Sequence, residues 1–362
     1  MLEESAKARR VVDLFAGSGA VASYVARQTK VPVLAVDLQQ YSRVLAAAII
    51  SRDKSYELTD LLKIWLEPVL KERGAFEKWK DEEKRFKALD GRKVRQYVDR
   101  CRSACKNDLE IGPIWSAYGG YYYSPQQAIT FDLLLKHLPK DVNQRVICQA
   151  AMIMAASRCA ASPGHTAQPF QPTPTARKFI LESWSKDPIE VCKTSLAEIC
   201  PQFALCVGEA RVGDAVSEAA NLRRGDLVFV DPPYSGVHYS RFYHVLETLA
   251  KGSVGAVDGA GRYASVEERP QSDFSLSGKS EKALEKLFDN LSMNEVSVIF
   301  TFPEGKCSNG LSGDMVLEKA RKSFRVEEAL VKEGKFSTLG GNKRKRASRV
   351  VSRELVILMR SK

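Results

Sequence analysis

Residues 10–37 read RVVDLFAGSGAVASYVARQTKVPVLAVD, and this stretch decides the fold. Arg10 to Phe15 is a short apolar run closed by the glycine-rich Ala16-Gly17-Ser18-Gly19-Ala20. A run of that length bounded by turn residues reads as a buried strand. A helix follows from about Val21 to Gln28, and Val31 to Asp37 reads as a second buried strand. Strand, glycine turn, helix and strand form the opening unit of a parallel α/β sheet.

The turn also carries chemistry. Gly17 to Ala22, GSGAVA, matches the GxGxxG/A pattern of nucleotide-binding turns. Glycines let backbone approach a ligand, and the helix that follows offers free N–H groups. Asp37 lies twenty residues after Gly17, where an acid can accept hydrogen bonds from ribose hydroxyls. The ligand could be NAD, FAD or S-adenosylmethionine, or the turn could be purely structural. Asp13 at the strand end weighs towards S-adenosylmethionine, because a carboxylate repels a pyrophosphate and attracts a methionine ammonium and sulfonium.

Working outward, the chain has 362 residues, which gives a prior of about two domains. Apolar residues at 44% supply a sizeable core and exclude wholesale disorder. The net charge of +11 points to a polyanionic partner, nucleic acid before an anionic membrane surface. Eight cysteines without a CxxC pair and only four histidines give no zinc-ligand spacing. The N-terminus lacks the apolar core of a signal peptide, and runs such as Leu45 to Ile50 are far short of a membrane span. The expectation is a soluble, cytoplasmic protein in a reducing compartment.

Between about Ser51 and Asp108 the chain turns charge-dense, with Leu58, Leu61, Leu62 and Trp65 at helical spacing. Helices are expected from Ser124 as N-cap with Pro125 behind it, and over about 143–158. The segment CAASPGHTAQPFQPTPT is too rich in proline and glycine for regular structure. Strands near positions 207, 227, 296, 325 and 354 join the first two to make seven, with Gly252 to Lys279 read as a mobile loop over the site. The expected division is a catalytic domain of residues 1–50 and 190–362, with 51–189 as an inserted helical target-recognition region.

A second motif decides between the ligands. GDLVFVDPPYSGVHYSRFYHVLE, residues 225–247, puts Asp231-Pro232-Pro233-Tyr234 directly after a buried strand. Two prolines force an extended path and remove two backbone donors, leaving carbonyl acceptors beside an aromatic face. That suits a planar base whose exocyclic amine donates hydrogen bonds while its ring is stacked. Accepting both amino hydrogens, on the Asp231 carboxylate and the Pro232 carbonyl, pushes the nitrogen towards a tetrahedral form whose lone pair can face a sulfonium methyl.

With both motifs in place, the chain resembles the Dam-like, alpha-class DNA adenine N6-methyltransferases. Those enzymes also order the cofactor motif, a recognition insertion and then the catalytic tetrapeptide. Tyr123-Ser124-Pro125-Gln126-Gln127-Ala128 with Asp132 is similar to a segment of several relatives. Gly213-Asp214 resembles the family's acid for the cofactor's adenine amino group. The resemblance implies a Rossmann-like seven-stranded methyltransferase sheet with a mainly helical insertion. It implies direct methyl transfer from S-adenosylmethionine to adenine N6 at a specific DNA sequence, with no metal needed. Asp13, Phe15, Ala16, Gly17, Gly19, Asp37 and Asp214 would hold the cofactor, and Asp231 to Tyr234 would carry catalysis. A duplex would have to flip out its target adenine, at a few kcal/mol.

The nucleic-acid candidates are Arg158 and His165 in or beside the irregular segment, Tyr239 and Arg241 after the tetrapeptide, and the basic run Lys343, Arg344, Lys345 and Arg346. Tyr121 to Tyr123 and His244 read better as packing residues than as a stacking platform. A separate restriction endonuclease is a partner that a restriction–modification role would bring; this chain shows no nuclease motif of its own. The alternatives are a ribosomal RNA base amino-methyltransferase and a catalytically silent DNA-binding relative.

Overall fold

The computed structural model describes residues 1–76, 79, 93–107, 111–337 and 349–362. They form two compact units, one of residues 1–54, 203–240 and 270–362, the other of 55–202 and 241–269. Nine strands occur among the described residues. They are β1 Arg10–Asp13, β2 Val33–Asp37, β3 Glu209–Val212, β4 Asp226–Val230, β5 Val257–Asp258, β6 Tyr263–Ala264, β7 Ser297–Pro303, β8 Phe324–Ser337 and β9 Arg349–Ser361.

Seven of them build the sheet of the first unit, in the order β3-β2-β1-β4-β7-β9-β8. β3, β2, β1, β4 and β7 run parallel, while β9 is antiparallel to both β7 and β8. β1, β2, β4 and β7 fall where their apolar runs place them, because parallel strands covered on both faces need near-continuous apolar sequence, whereas β3, EARV, lies at the sheet edge. Val12, Leu34, Val228, Val298 and Phe300 meet in one buried core with Leu284, Leu287 and Phe288 of the helix Ser280–Met293. Asp226, buried at the start of β4, is paired with Arg9 at 2.9 Å and Arg10 at 2.7 Å. A buried carboxylate needs such partners.

The second unit is mainly helical. Ser124 caps the helix Pro125–Lys136 through a reciprocal capping box: Gln127 N–H donates to Ser124 Oγ at 3.2 Å, and Ser124 N–H to Gln127 Oε1 at 3.0 Å. The apolar spacing from Leu58 forms a helix that widens into a π-helical turn over Leu62–Leu66, where Trp65 Nε1 donates to the Leu134 carbonyl at 3.0 Å. Tyr122 and Tyr123 are fully buried, as packing residues are. Part of the charged insertion, residues 77–78, 80–92 and 108–110, lies outside the described residues.

Two expectations change. The compact second unit reaches past residue 189 to Gln202 and takes in 241–269. Gln149 explains part of this, since its amide donates to the Leu249 carbonyl at 3.2 Å and the Ala250 carbonyl at 2.8 Å, fastening the helix Ser240–Lys251 to the helix Val142–Cys159. The stretch 252–279, read as a mobile loop, carries the β5–β6 ribbon and a 3-10 turn at Asp273–Ser275. Its Arg262 donates to the Ala117 carbonyl at 2.9 Å, and its Tyr263 hydroxyl donates to the Ala167 carbonyl. Among the described residues no helix is long and apolar enough to cross a membrane.

Candidate active site

Parallel strands deliver their C-terminal ends to one edge of the sheet, and the register fixes which residues meet there. Asp13 lies opposite Ala35 on one side and Phe229 on the other, Asp37 opposite Val212, and Val230 opposite Phe300. The glycine turn after β1, Asp37 at the tip of β2, Gly213-Asp214 after β3 and Asp231 after β4 therefore leave the sheet side by side. Ligands of open α/β sheets bind at such an edge.

These segments line a cavity of about 860 Å³, counted with its open mouth. Phe15, Gly17, Asp37 and Asp214 lie on its wall together with Asp231, Pro232, Pro233 and Tyr234. The two motifs, more than two hundred residues apart in sequence, share one chamber.

The glycine turn is braced from below. Gly17 has φ +52°, and an added Cβ there meets only the Phe15 carbonyl oxygen, at 3.9 Å. Its N–H donates to Asp37 Oδ2 at 2.8 Å, while Asp37 Oδ1 accepts from Gln39 N–H at 2.9 Å. The acid that spacing assigns to a ribose thus also holds the turn. Asp214 accepts at Oδ1 from the Ser217 N–H at 3.0 Å and caps the short helix Ala215–Ala219.

Three of the seven residues read as cofactor ligands stand behind the wall. Asp13 is buried and accepts from the Phe15 N–H at 3.3 Å. Burial first, then the charges of Asp231 and Asp37, push its carboxyl up to about 7. Ala16 is buried with its N–H on the Val36 carbonyl at 2.9 Å. Gly19, at φ +74°, has room for no side chain, because a Cβ there would come within 3.0 Å of Ala46 Cα. Its glycine serves helix packing.

Asp231 is solvent-exposed at the tip of β4, yet crowding by protein pushes its carboxyl up to about 6, with Glu354 adding to the rise. Water at the exposed face moderates that effect. The Thr301 hydroxyl donates to Asp231 Oδ1 at 2.9 Å and opposes the shift. Tyr234 is held by a hydrogen bond with Tyr239, and burial raises its hydroxyl above the ordinary tyrosine value. Tyr239, read as a DNA contact, is itself part of the cavity wall.

Arg158, His165 and Arg241 belong to the second unit. Arg158 is paired with Glu198 at 2.6 Å, His165 stands edge-on to Phe242 at 4.8 Å, and Arg241 covers the Tyr263 ring at 4.7 Å. Lys343, Arg344, Lys345 and Arg346 lie outside the described residues.

Sequence reasoning missed Thr301, Phe274 and Asn309. Thr301 left a trace as a hydroxyl inside the apolar VSVIFTF; Phe274 and Asn309 sit in ordinary loop sequence.

No curated protein matches the chain. A family model described as D12 class N6 adenine-specific DNA methyltransferase matches residues 1–111 and 208–302, more than half of the chain, including both motifs that line the cavity. The chain belongs to the D12 class of N6 adenine-specific DNA methyltransferases, enzymes that methylate adenine N6 in DNA.

Proposed function

We propose that the cavity binds S-adenosylmethionine against the glycine turn and receives an adenine flipped out of duplex DNA against Asp231 to Tyr234. The observation that carries this reading is the shared chamber, in which Gly17 and Asp231 line one cavity. The residues fit such a donor: Gly17 leaves open space where a side chain would stand, and Asp37 and Asp214 offer carboxylates to hydroxyl and amino groups. When bound, the cofactor's sulfonium supplies the methyl group.

The chain's own residues orient the acceptor. The Asp231 carboxylate and the Pro232 carbonyl accept the two amino hydrogens, which turns the nitrogen lone pair out of conjugation with the ring. Tyr234 stacks on the base and offsets part of the cost of extruding it. The amine becomes acidic only once alkylated, and Asp231 Oδ2 is then placed to take its proton. Phe15, packed edge-on to Phe274 at 5.3 Å, closes the apolar side of the chamber and limits water.

The duplex needs a positive surface. β8 and β9 continue to pair through Ser337 and Arg349, beyond Pro303, the last residue of β7. This two-stranded ribbon therefore leaves the sheet at the same edge as Asp231. Between Glu333 and Arg353 the sequence has seven basic residues and one acid, which supports phosphate contacts by this segment. Tyr239, on the cavity wall, completes the proposed DNA-facing set.

Calorimetric titration of the purified protein with S-adenosylmethionine tests the cofactor assignment. Saturable binding that Gly17→Val abolishes and Asp231→Ala leaves within about threefold supports it; no binding by the wild type refutes it.

A further inference from the structure

The segment after β7 makes contacts that the reaction scheme leaves unexplained. Asn309 is fully buried, and its side chain joins two separate loops. Nδ2 donates to the Pro233 carbonyl at 3.1 Å and to the Phe274 carbonyl at 3.0 Å, while Oδ1 accepts from the Leu311 N–H at 3.2 Å. Next to it, Ser308 Oγ accepts from the Gly236 N–H at 2.9 Å. The approach is tight, since a Cβ on Gly236 would come within 2.8 Å of the Ser308 carbonyl oxygen.

Each contact falls on a functional segment. Pro233 is the third residue of the tetrapeptide, and Gly236 follows Tyr234 by two. Phe274 packs its ring on Phe15 of the glycine turn at 5.3 Å, and Phe15 and Tyr234 rest on the same core. A planar amide NH₂ carries two diverging donors, so one Asn side chain can satisfy carbonyls from two loops at once. Neither an acid nor a hydroxyl can do this. The Pro233 ring nitrogen offers no donor, but its carbonyl still accepts, and Asn309 supplies its partner.

We infer that Asn309, assisted by Ser308, is a positioning residue for methyl transfer: it locks the Tyr234 side of the base slot to the Phe15 side of the cofactor site. The inference rests on the reading of Asp231 to Tyr234 as the catalytic segment. Reaction rates respond steeply to such spacing, a misplacement of about 1 Å costing up to about a hundredfold.

The test compares Asn309→Ala and Ser308→Ala with Ser280→Ala. Ser280 donates from its hydroxyl to the Asn309 backbone carbonyl at 2.8 Å, so its variant loosens the same turn without touching either clamped carbonyl. Single-turnover methylation of duplex DNA at saturating cofactor is measured with thermal midpoints. The expected result is a loss of at least tenfold in rate for Asn309→Ala and of two- to fivefold for Ser308→Ala. DNA affinity stays within threefold, and Ser280→Ala keeps the wild-type rate despite a lowered midpoint. Ser308→Ala, altering an exposed side chain, remains informative if Asn309→Ala does not fold. Rates within twofold of an active wild type for Ser308→Ala and every folded Asn309 variant, or equal losses with Ser280→Ala, would overturn the inference and leave the reading of the site intact.

Discussion

Thr301 on β7 donates its hydroxyl hydrogen bond to Asp231 Oδ1 at 2.9 Å, across two neighbouring parallel strand tips. The bond fixes one carboxylate oxygen and lowers the pKa of a group that crowding otherwise raises. Thr301→Val keeps the shape and removes the donor. A hydrogen bond of about 1.5 kcal/mol to a charged group corresponds to about one pH unit. The expected result is a methylation rate down several-fold at pH 8 and an acid limb moved upward by up to about one unit. An unmoved profile contradicts the role of Thr301.

The pH profile of the wild type follows from the same carboxyl. Asp231 must be ionised to accept the amino hydrogens, and its pKa is raised to about 6. The rate is therefore full at pH 8 and falls as pH drops through about 6, well above the range of an ordinary aspartate. Single-turnover rates from pH 5 to 8.5 check this. A limb near pH 4 means that the carboxyl is not perturbed.

Asp13 gives a stability prediction of definite sign. Its folded pKa of about 7 lies above the unfolded value, so between about pH 4 and 7 the folded chain holds a proton that the unfolded chain has released. Stability from this group is present below pH 4 and declines as pH rises through 7. Asp13→Asn keeps an acceptor for the Phe15 N–H and does not titrate. Denaturant midpoints of the variant should fall less between pH 5 and 8 than those of the wild type; parallel curves would refute the assignment.

Gly17 sits at φ +52° with open space where its Cβ would point. Gly17→Val combines a strained backbone, costing about 1–3 kcal/mol, with loss of ligand space. Cofactor affinity should drop by at least a hundredfold while the fold persists by circular dichroism. Retained affinity would move the cofactor away from this turn.

The basic run from Lys343 to Arg346 makes a prediction that rests on charge alone. Replacing it with neutral residues should weaken duplex binding and reduce the slope of log affinity against log salt by about 0.9 per lost phosphate contact. An unchanged slope would put the phosphate contacts elsewhere.

The sheet was legible because buried parallel strands need apolar runs that chance rarely supplies in series, as in Val11–Val12, Leu227–Val230 and Val298–Phe300. Both motifs were legible because backbone chemistry restricts their residues: positive φ at Gly17, missing donors at Pro232 and Pro233. What escaped depends on tertiary neighbours. Asp13 and Gly19 look like ligands in the string, yet one is sealed under the turn and the other packs on Ala46. Asn309 and Phe274 bear no local signature, since their partners Pro233 and Phe15 are far away in sequence. The ribbon at 257–264 depends on Tyr263 and Arg262 reaching carbonyls more than ninety residues distant.

The central claim is that Asp231, in the chamber it shares with Gly17, directs methyl transfer to adenine N6. Mass spectrometry of nucleosides from a methylation-free bacterial host expressing either the wild type or Asp231→Ala tests it directly. The account predicts N6-methyladenine with the wild type and none with the variant at equal protein level. Equal N6-methyladenine from both, or a different methylated base from the wild type, would contradict it.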